Sequence, residues 1–345
     1  MTRIETLRQR LRTAGALPCH EQAVLQAWTQ GKPLDYGRRR PETFLPAALR
    51  AALPALARQL SALAHVRSEH PAADGAARLL VGLEDGQTVE SVLLPRAGVC
   101  VSTQVGCAVG CVFCMTGRDG LTRQLGSAEI VAQVALARAR RAVRKVVFMG
   151  MGEPAHNLDD VLDAIDLLAE AGGIAHKNLV FSTVGDRRVF ERLPARRVKP
   201  ALALSLHTMR AELRATLLPR APRIDPHQLV ALGERYARAT SYPIQYQWTL
   251  LAGVNDGDDE VDAIARALAG RYAVINFIPW NSVAGAAFRR PTWARAEQMV
   301  RMLHRRGVLA KLRDSAGQAV DGGCGQLRAR SALTPMAGAP ALQAR

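Results

Sequence analysis

From Val99 to Arg313, short apolar runs alternate with longer helical ones, and that alternation restricts the chain to a sheet of parallel strands. The strand-like runs are Val99–Val105, Lys145–Met149, Asn178–Thr183, Ala201–His207, Ile244–Leu250, Val274–Pro279 and Leu309–Arg313. Helical patterns fill the gaps around 127–142, 158–171, 226–239, 258–269 and 292–306, with Ser127 and Thr292 as capping residues for two of them. A strand that follows a helix back into the same sheet runs parallel to its predecessor. The pattern fits an α/β open sheet or a partial (β/α) barrel, and in both the chemistry gathers in loops at the carboxyl ends of the strands.

The first such loop contains Cys107, Cys111 and Cys114, spaced C-x3-C-x2-C. Six cysteines scattered at random in a chain of this length would give that spacing roughly 0.002 times. Thiolates packed this closely converge on a soft metal centre. Tetrahedral zinc calls for a fourth Cys or His nearby, and none follows at finger-like spacing. A 4Fe–4S cubane held by three thiolates leaves one iron open to another ligand.

Polar residues close the later strands. Met149-Gly-Met-Gly152-Glu153-Pro154 follows the second, Ser182-Thr183 ends the third, Ser205-Leu206-His207 the fourth, and Trp280-Asn281 the sixth. Glycines let backbone approach a ligand, and a carboxylate beside them accepts from a charged amine.

Ahead of this core, residues 1–75 read as a small helical unit, with helices near Glu21–Gln30 and Pro46–Leu63 and a basic loop from Gly37 to Glu42. Residues 76–98 read as a β-hairpin turning at Asp85-Gly86, with Glu90 as a strand carboxylate among apolar neighbours. The catalytic core then spans 99–327, and 328–345 form a short tail.

Lys and Arg number 46 against 30 Asp and Glu, a formal charge of +16. That field favours a polyanion, and nucleic acid over a membrane, because no apolar run reaches the roughly 20 residues that span a bilayer. Much of the excess is Arg in an Ala/Arg/Leu-rich chain, which a compositional bias also explains. The polar opening Met1-Thr-Arg-Ile-Glu carries no signal-peptide pattern, so a cytoplasmic location is expected, where cysteines serve as ligands or catalysts more than as structural disulfides.

The cysteine spacing resembles the radical S-adenosylmethionine (SAM) enzymes. Cys107–Cys114, Gly150–Pro154, Ser182-Thr183, Ser205–His207, Ile278-Pro-Trp-Asn281 and Cys324-Gly-Gln-Leu327, taken in order, are similar to the RlmN/Cfr family, which methylates an adenine carbon in RNA. The resemblance implies a partial (β/α)6 barrel with a small N-terminal helical domain. It implies a 4Fe–4S cluster on Cys107, Cys111 and Cys114, and SAM contacted by Gly152, Glu153, Ser182, Ser205, Leu206, His207 and Asn281.

It further implies that Cys324 carries the methyl group, that Cys100 resolves the adduct as a transient disulfide, and that Glu90 is the proton acceptor. An aromatic C–H carbon is no nucleophile, so a thiolate taking the methyl first makes the chemistry intelligible. The expected partners are ribosomal or transfer RNA, an electron donor such as flavodoxin and a cellular thiol reductant, with no membrane. Gly322-Gly323 stands where the family usually has Ala-Ala, and the segment from Arg313 lacks a usual Arg-Gly pair. The RNA target and the choice of C2 or C8 therefore stay open. So do a radical SAM enzyme with another RNA target and a basic RNA-binding protein with a structural zinc.

Overall fold

Three helices open the chain: α1 (Ile4–Thr13), α2 (Pro18–Thr29) and α3 (Ala47–Leu63). In α3, Leu49, Leu53, Leu56, Leu60 and Leu63 recur three or four residues apart and form the buried stripe. The computed structural model describes residues 1–36 and 40–329, so part of the basic loop and nearly all of the tail lie outside the described residues.

An antiparallel ribbon follows, made of β1 (Ala64–Pro71), β2 (Ala77–Leu83) and β3 (Thr88–Leu94). Gly86 makes the β2–β3 turn at φ +84°, as Asp85-Gly86 predicts. Strand β1 occupies a span expected to be helical. Its outward residues His65, Arg67 and Glu69 are charged or polar and give no apolar alternation to read, as suits a sheet edge.

Strand β4 (Gly98–Cys100) joins the ribbon to the parallel part. The run expected as one strand from Val99 breaks after Cys100, and β5 (Gln104–Gly106) pairs instead with β6 (Leu121–Gln124) in a separate small ribbon. The remaining strands are β7 (Lys145–Phe148), β8 (Leu179–Thr183), β9 (Ala201–Ser205), β10 (Ile244–Leu250), β11 (Ala273–Pro279) and β12 (Ala310–Leu312). Sheet order follows chain order through these strands, all parallel, and no ladder among the described residues joins β12 back to the first strands. The architecture is a partial barrel, as expected.

Helices α4 (Ser127–Arg138), α5 (Leu158–Glu170), α6 (Arg187–Ala195), α7 (Ala211–Leu217), α8 (Pro226–Thr240), α9 (Asp258–Leu268) and α10 (Trp293–Arg305) connect the strands. Sequence reading missed α6 and α7, which are short. The pleat of β10 shows how the two faces divide: Ile244, Tyr246, Trp248 and Leu250 are buried in the main core, while Gln245, Gln247 and Thr249 line the lumen. No helix among the described residues is long and apolar enough to cross a membrane.

Candidate active site

The β5–β6 ribbon closes the base of the cysteine loop. Gly106 sits at φ +78°, where a Cβ would lie 2.1 Å from the Gly120 carbonyl oxygen, so only glycine fits. Within the loop a Cβ on Gly117 would lie 2.7 Å from the Cα of Gly110. These approaches curl the chain tightly enough for Cys107, Cys111 and Cys114 to line one end of a shared cavity. Burial pushes the Cys107 thiol up to about 12 and raises Cys111 and Cys114 as well. Left alone these thiols stay protonated, and a bound metal displaces such protons. Among the described residues no three His, Cys, Asp or Glu side chains converge where a single metal ion would sit. Three thiols lining one end of the cavity suit a cubane, which takes three such ligands and leaves one iron open.

The strand ends supply the opposite wall. Gly152, at φ +104°, packs where a Cβ would meet Gln104 at 2.7 Å. The neighbouring Glu153 accepts from the amides of Ala155 and Val184, both at 3.0 Å. Burial outweighs these bonds and pushes its carboxyl up to about 7. A buried carboxylate held this way gains from a cationic partner such as SAM's ammonium. Ser182 and Ser205 line the same cavity.

His207 adopts φ +63°, and its Nδ1 accepts from the Thr249 amide at 3.0 Å. Nε2 therefore carries the proton of the neutral ring. Burial, then the charge of Arg214, pulls His207 down to about 3. Asn281 donates through Nδ2 to Ser315 Oγ at 3.0 Å and to the Cys324 carbonyl at 2.9 Å. Its buried Oδ1 has no partner among the described residues, an acceptor that a ligand's donor would satisfy. The residues present thus fit SAM. Leu206 is different: its side chain is wholly buried in the main core and its amide donates to the Gln247 carbonyl at 3.0 Å.

Cys324 lines this cavity and also a second one, deeper in the lumen, which it shares with Cys100. Solvent reaches Cys324 through the cavity, while the surrounding protein pushes its thiol up to about 11. Cys100 is pushed up to about 12 by burial and then by the charge of Cys324, which places the two sulfurs within each other's field. Glu90 lines neither cavity. It is buried and paired with Arg78, and its second oxygen accepts from the amides of Arg328 at 2.7 Å and Ala329 at 3.1 Å.

Sequence reasoning missed Gln104, whose Oε1 accepts from the Glu153 amide at 2.7 Å and sets the turn. It also missed Arg214, a buried guanidinium that donates to the carbonyls of Val184 and Ser205 and so bridges two strand ends. Neither lies in a motif, and one Arg among many carries no signal. Trp280 stands in a quoted motif without a role. Its Nε1 donates to the Phe113 carbonyl at 3.1 Å, beneath the cysteine loop.

Residues 101–268 match the model of the radical SAM superfamily. A probable RNA methyltransferase of Aromatoleum aromaticum is 74% identical, over 98% of this chain and 96% of its own length. Another from Methylibium petroleiphilum is 73% identical, over 95% of this chain and 93% of its own. Among solved structures, a radical SAM methyltransferase from Sphaerobacter thermophilus superposes with a TM-score of 0.82 at 34% identity, covering 95% of this chain and 98% of that one.

Proposed function

This chain belongs to the radical SAM superfamily, alongside the probable RNA methyltransferases it matches almost end to end, and from that premise we propose that it methylates C2 of an adenine in ribosomal or transfer RNA by way of Cys324. Its cofactors are SAM and a 4Fe–4S cluster, for which Cys107, Cys111 and Cys114 are the ligands. When bound, the pair supplies a methyl group and, after one-electron reduction, a hydrogen-abstracting radical. Glu153, Asn281 and the neutral His207 hold SAM against the strand ends.

The observation that carries this reading is the position of Cys324, which lines the cysteine-loop cavity and also the deeper one beside Cys100. Cys324 loses its proton and takes the methyl group, since adenine C2 cannot. The methyl carbon, less one hydrogen, then bonds to C2 and tethers RNA through a thioether. With the C2 proton passed to a base and the adduct's unpaired electron passed back to the one-electron carrier, Cys100 attacks the Cys324 sulfur. The S–S bond forms as the S–C bond breaks, and the released carbon takes a proton to become the new methyl group. The disulfide is the oxidised product, and a cellular thiol reductant returns its two electrons. This cycle needs a one-electron donor such as flavodoxin and suits a reducing cytoplasm.

Two variants test it. Cys100→Ala leaves the thioether unresolved and accumulates an RNA–protein adduct, visible as a shifted band and by mass spectrometry. Cys324→Ala makes no product. Free methylated adenine from Cys324→Ala overturns the tethered route.

A further inference from the structure

The deeper cavity occupies about 450 Å³ of the barrel lumen, with Cys100 and Cys324 at its inner end. Val147 and Val180 give it an apolar wall, and Gly98 leaves room beside them. Lys145 and Arg313 line its other end, with Arg96 also on the wall. None of these three forms an ion pair among the described residues. Asp314, the one carboxylate on the wall, is engaged by Arg290 at 2.9 Å and by Gln318 at 2.6 Å. Lys145 is half-buried and feels the charges of Arg313 and Lys311, so its own charge stands uncompensated. A crowd of cations whose one neighbouring carboxylate is engaged elsewhere is relieved by a bound anion. Gln245 lines the cavity with its side-chain amide free of partners among the described residues, offering one donor and one acceptor side by side.

We propose that this lumen is the pocket for the target nucleotide, its base lodged between the thiol pair and the apolar wall, with Gln245 on the base edge and Lys145, Arg313 and Arg96 on the flanking phosphates. The inference rests on the proposed function for the identity of the polymer. An enzyme that reacts on a base takes it out of its stack into such a pocket. When C2 faces the thiols, the N6/N7 edge of adenine faces away from them, and an amide pairs with that edge through both its groups. N9 then carries the ribose outward to the cationic end. Guanine has an amino group at C2 and is excluded.

The test is a binding measurement on the cluster-loaded enzyme without turnover. Adenosine 5′-monophosphate is expected to slow alkylation of Cys100 and Cys324 by iodoacetamide, and inorganic phosphate to do so far less. Lys145→Gln with Arg313→Gln is expected to weaken protection by about tenfold and to lower the salt slope of transfer-RNA binding by roughly 2. Lys145→Arg with native Arg313 is expected to keep protection, which controls for misfolding. Gln245→Leu is expected to erase the preference for adenosine over guanosine monophosphate. Equal protection by phosphate and by the nucleotide, or unchanged affinity in the double glutamine variant, overturns the pocket while leaving the Cys324 chemistry intact. Product from Cys324→Ala would overturn that chemistry and leave these binding results standing.

Discussion

The amide of Met115 donates to the carbonyl of Gly325 at 2.7 Å, so the residue after the third loop cysteine is tied to the residue after Cys324. Thr116 Oγ1 adds a bond to the Leu327 carbonyl, also at 2.7 Å. Two segments about two hundred residues apart are thereby held as one wall. The Cys324 thiol is positioned against the cysteine loop, not free on a loose strand.

Gly325 sits at φ +84°, and a Cβ there would meet the Phe113 carbonyl at 3.4 Å and the Cys114 Cα at 3.8 Å, both ordinary contacts. Gly325→Ala therefore has room, and its cost is the left-handed backbone, about 1–2 kcal/mol. That strain acts on the Met115–Gly325 bond. The variant is expected to keep its full iron content and to lose most of its Cys324 S-methylation, read by peptide mass spectrometry after incubation with SAM. Full methylation would show that the bond does not position the thiol.

Gly117 gives the converse case. A Cβ there would lie 2.7 Å from Gly110 Cα and 2.9 Å from its nitrogen, both backbone atoms that cannot swing away. Gly117→Ala pushes apart the two halves of the loop that bring Cys111 and Cys114 together. Iron per chain, and the visible charge-transfer absorbance, are expected to fall to a small fraction of the parent value. An unchanged iron content would mean the loop tolerates the wider path.

How far the sequence foretold this site depends on where each constraint lies. The Cys107–Cys114 spacing, the Asp85-Gly86 turn and the strand Ile244–Leu250 are local patterns, and the structure has each where it was read. What escaped is fixed by distant partners. Strand β1 forms because β2 offers a ladder to a polar segment, and propensity alone does not show that. Gln104 and Arg214 matter only through carbonyls and amides that other elements bring to them. Glu90 reads as an exposed strand carboxylate or a base, yet the fold buries it under the C-terminal segment.

The Arg78–Glu90 pair carries its own prediction. Arg78 is nearly buried and also donates to the Val320 carbonyl at 2.6 Å, so it ties the ribbon to the Cys324 loop from one side while Glu90 holds residues 328 and 329 from the other. Removing one member of a buried pair strands the other charge, which costs about 3–5 kcal/mol. Arg78→Met is expected to lower the unfolding free energy, measured by denaturant titration, by that order, and Arg78→Met with Glu90→Leu to recover much of it. Additive losses in the double variant would show that the two side chains do not depend on each other.

His207 allows a pH test with a defined sign. Its pKa falls from the ordinary 6.5 to about 3, chiefly through burial and then through Arg214. The folded state thus favours the neutral ring, while the unfolded chain takes up a proton below pH 6.5. The stability that His207 contributes is fully present above 6.5 and is lost as the pH falls from there toward 3, by about 1.4 kcal/mol for each unit crossed. In nitrogen-15 spectra of histidine-labelled protein, His207 is expected to keep a neutral signature from pH 8 to pH 5. Its Nδ1 should be unprotonated, as the Thr249 amide requires. A ring that titrates near 6.5 in the folded protein would mean that His207 is not packed beside Arg214 and Thr249 as described, and that it can carry charge toward SAM at neutral pH.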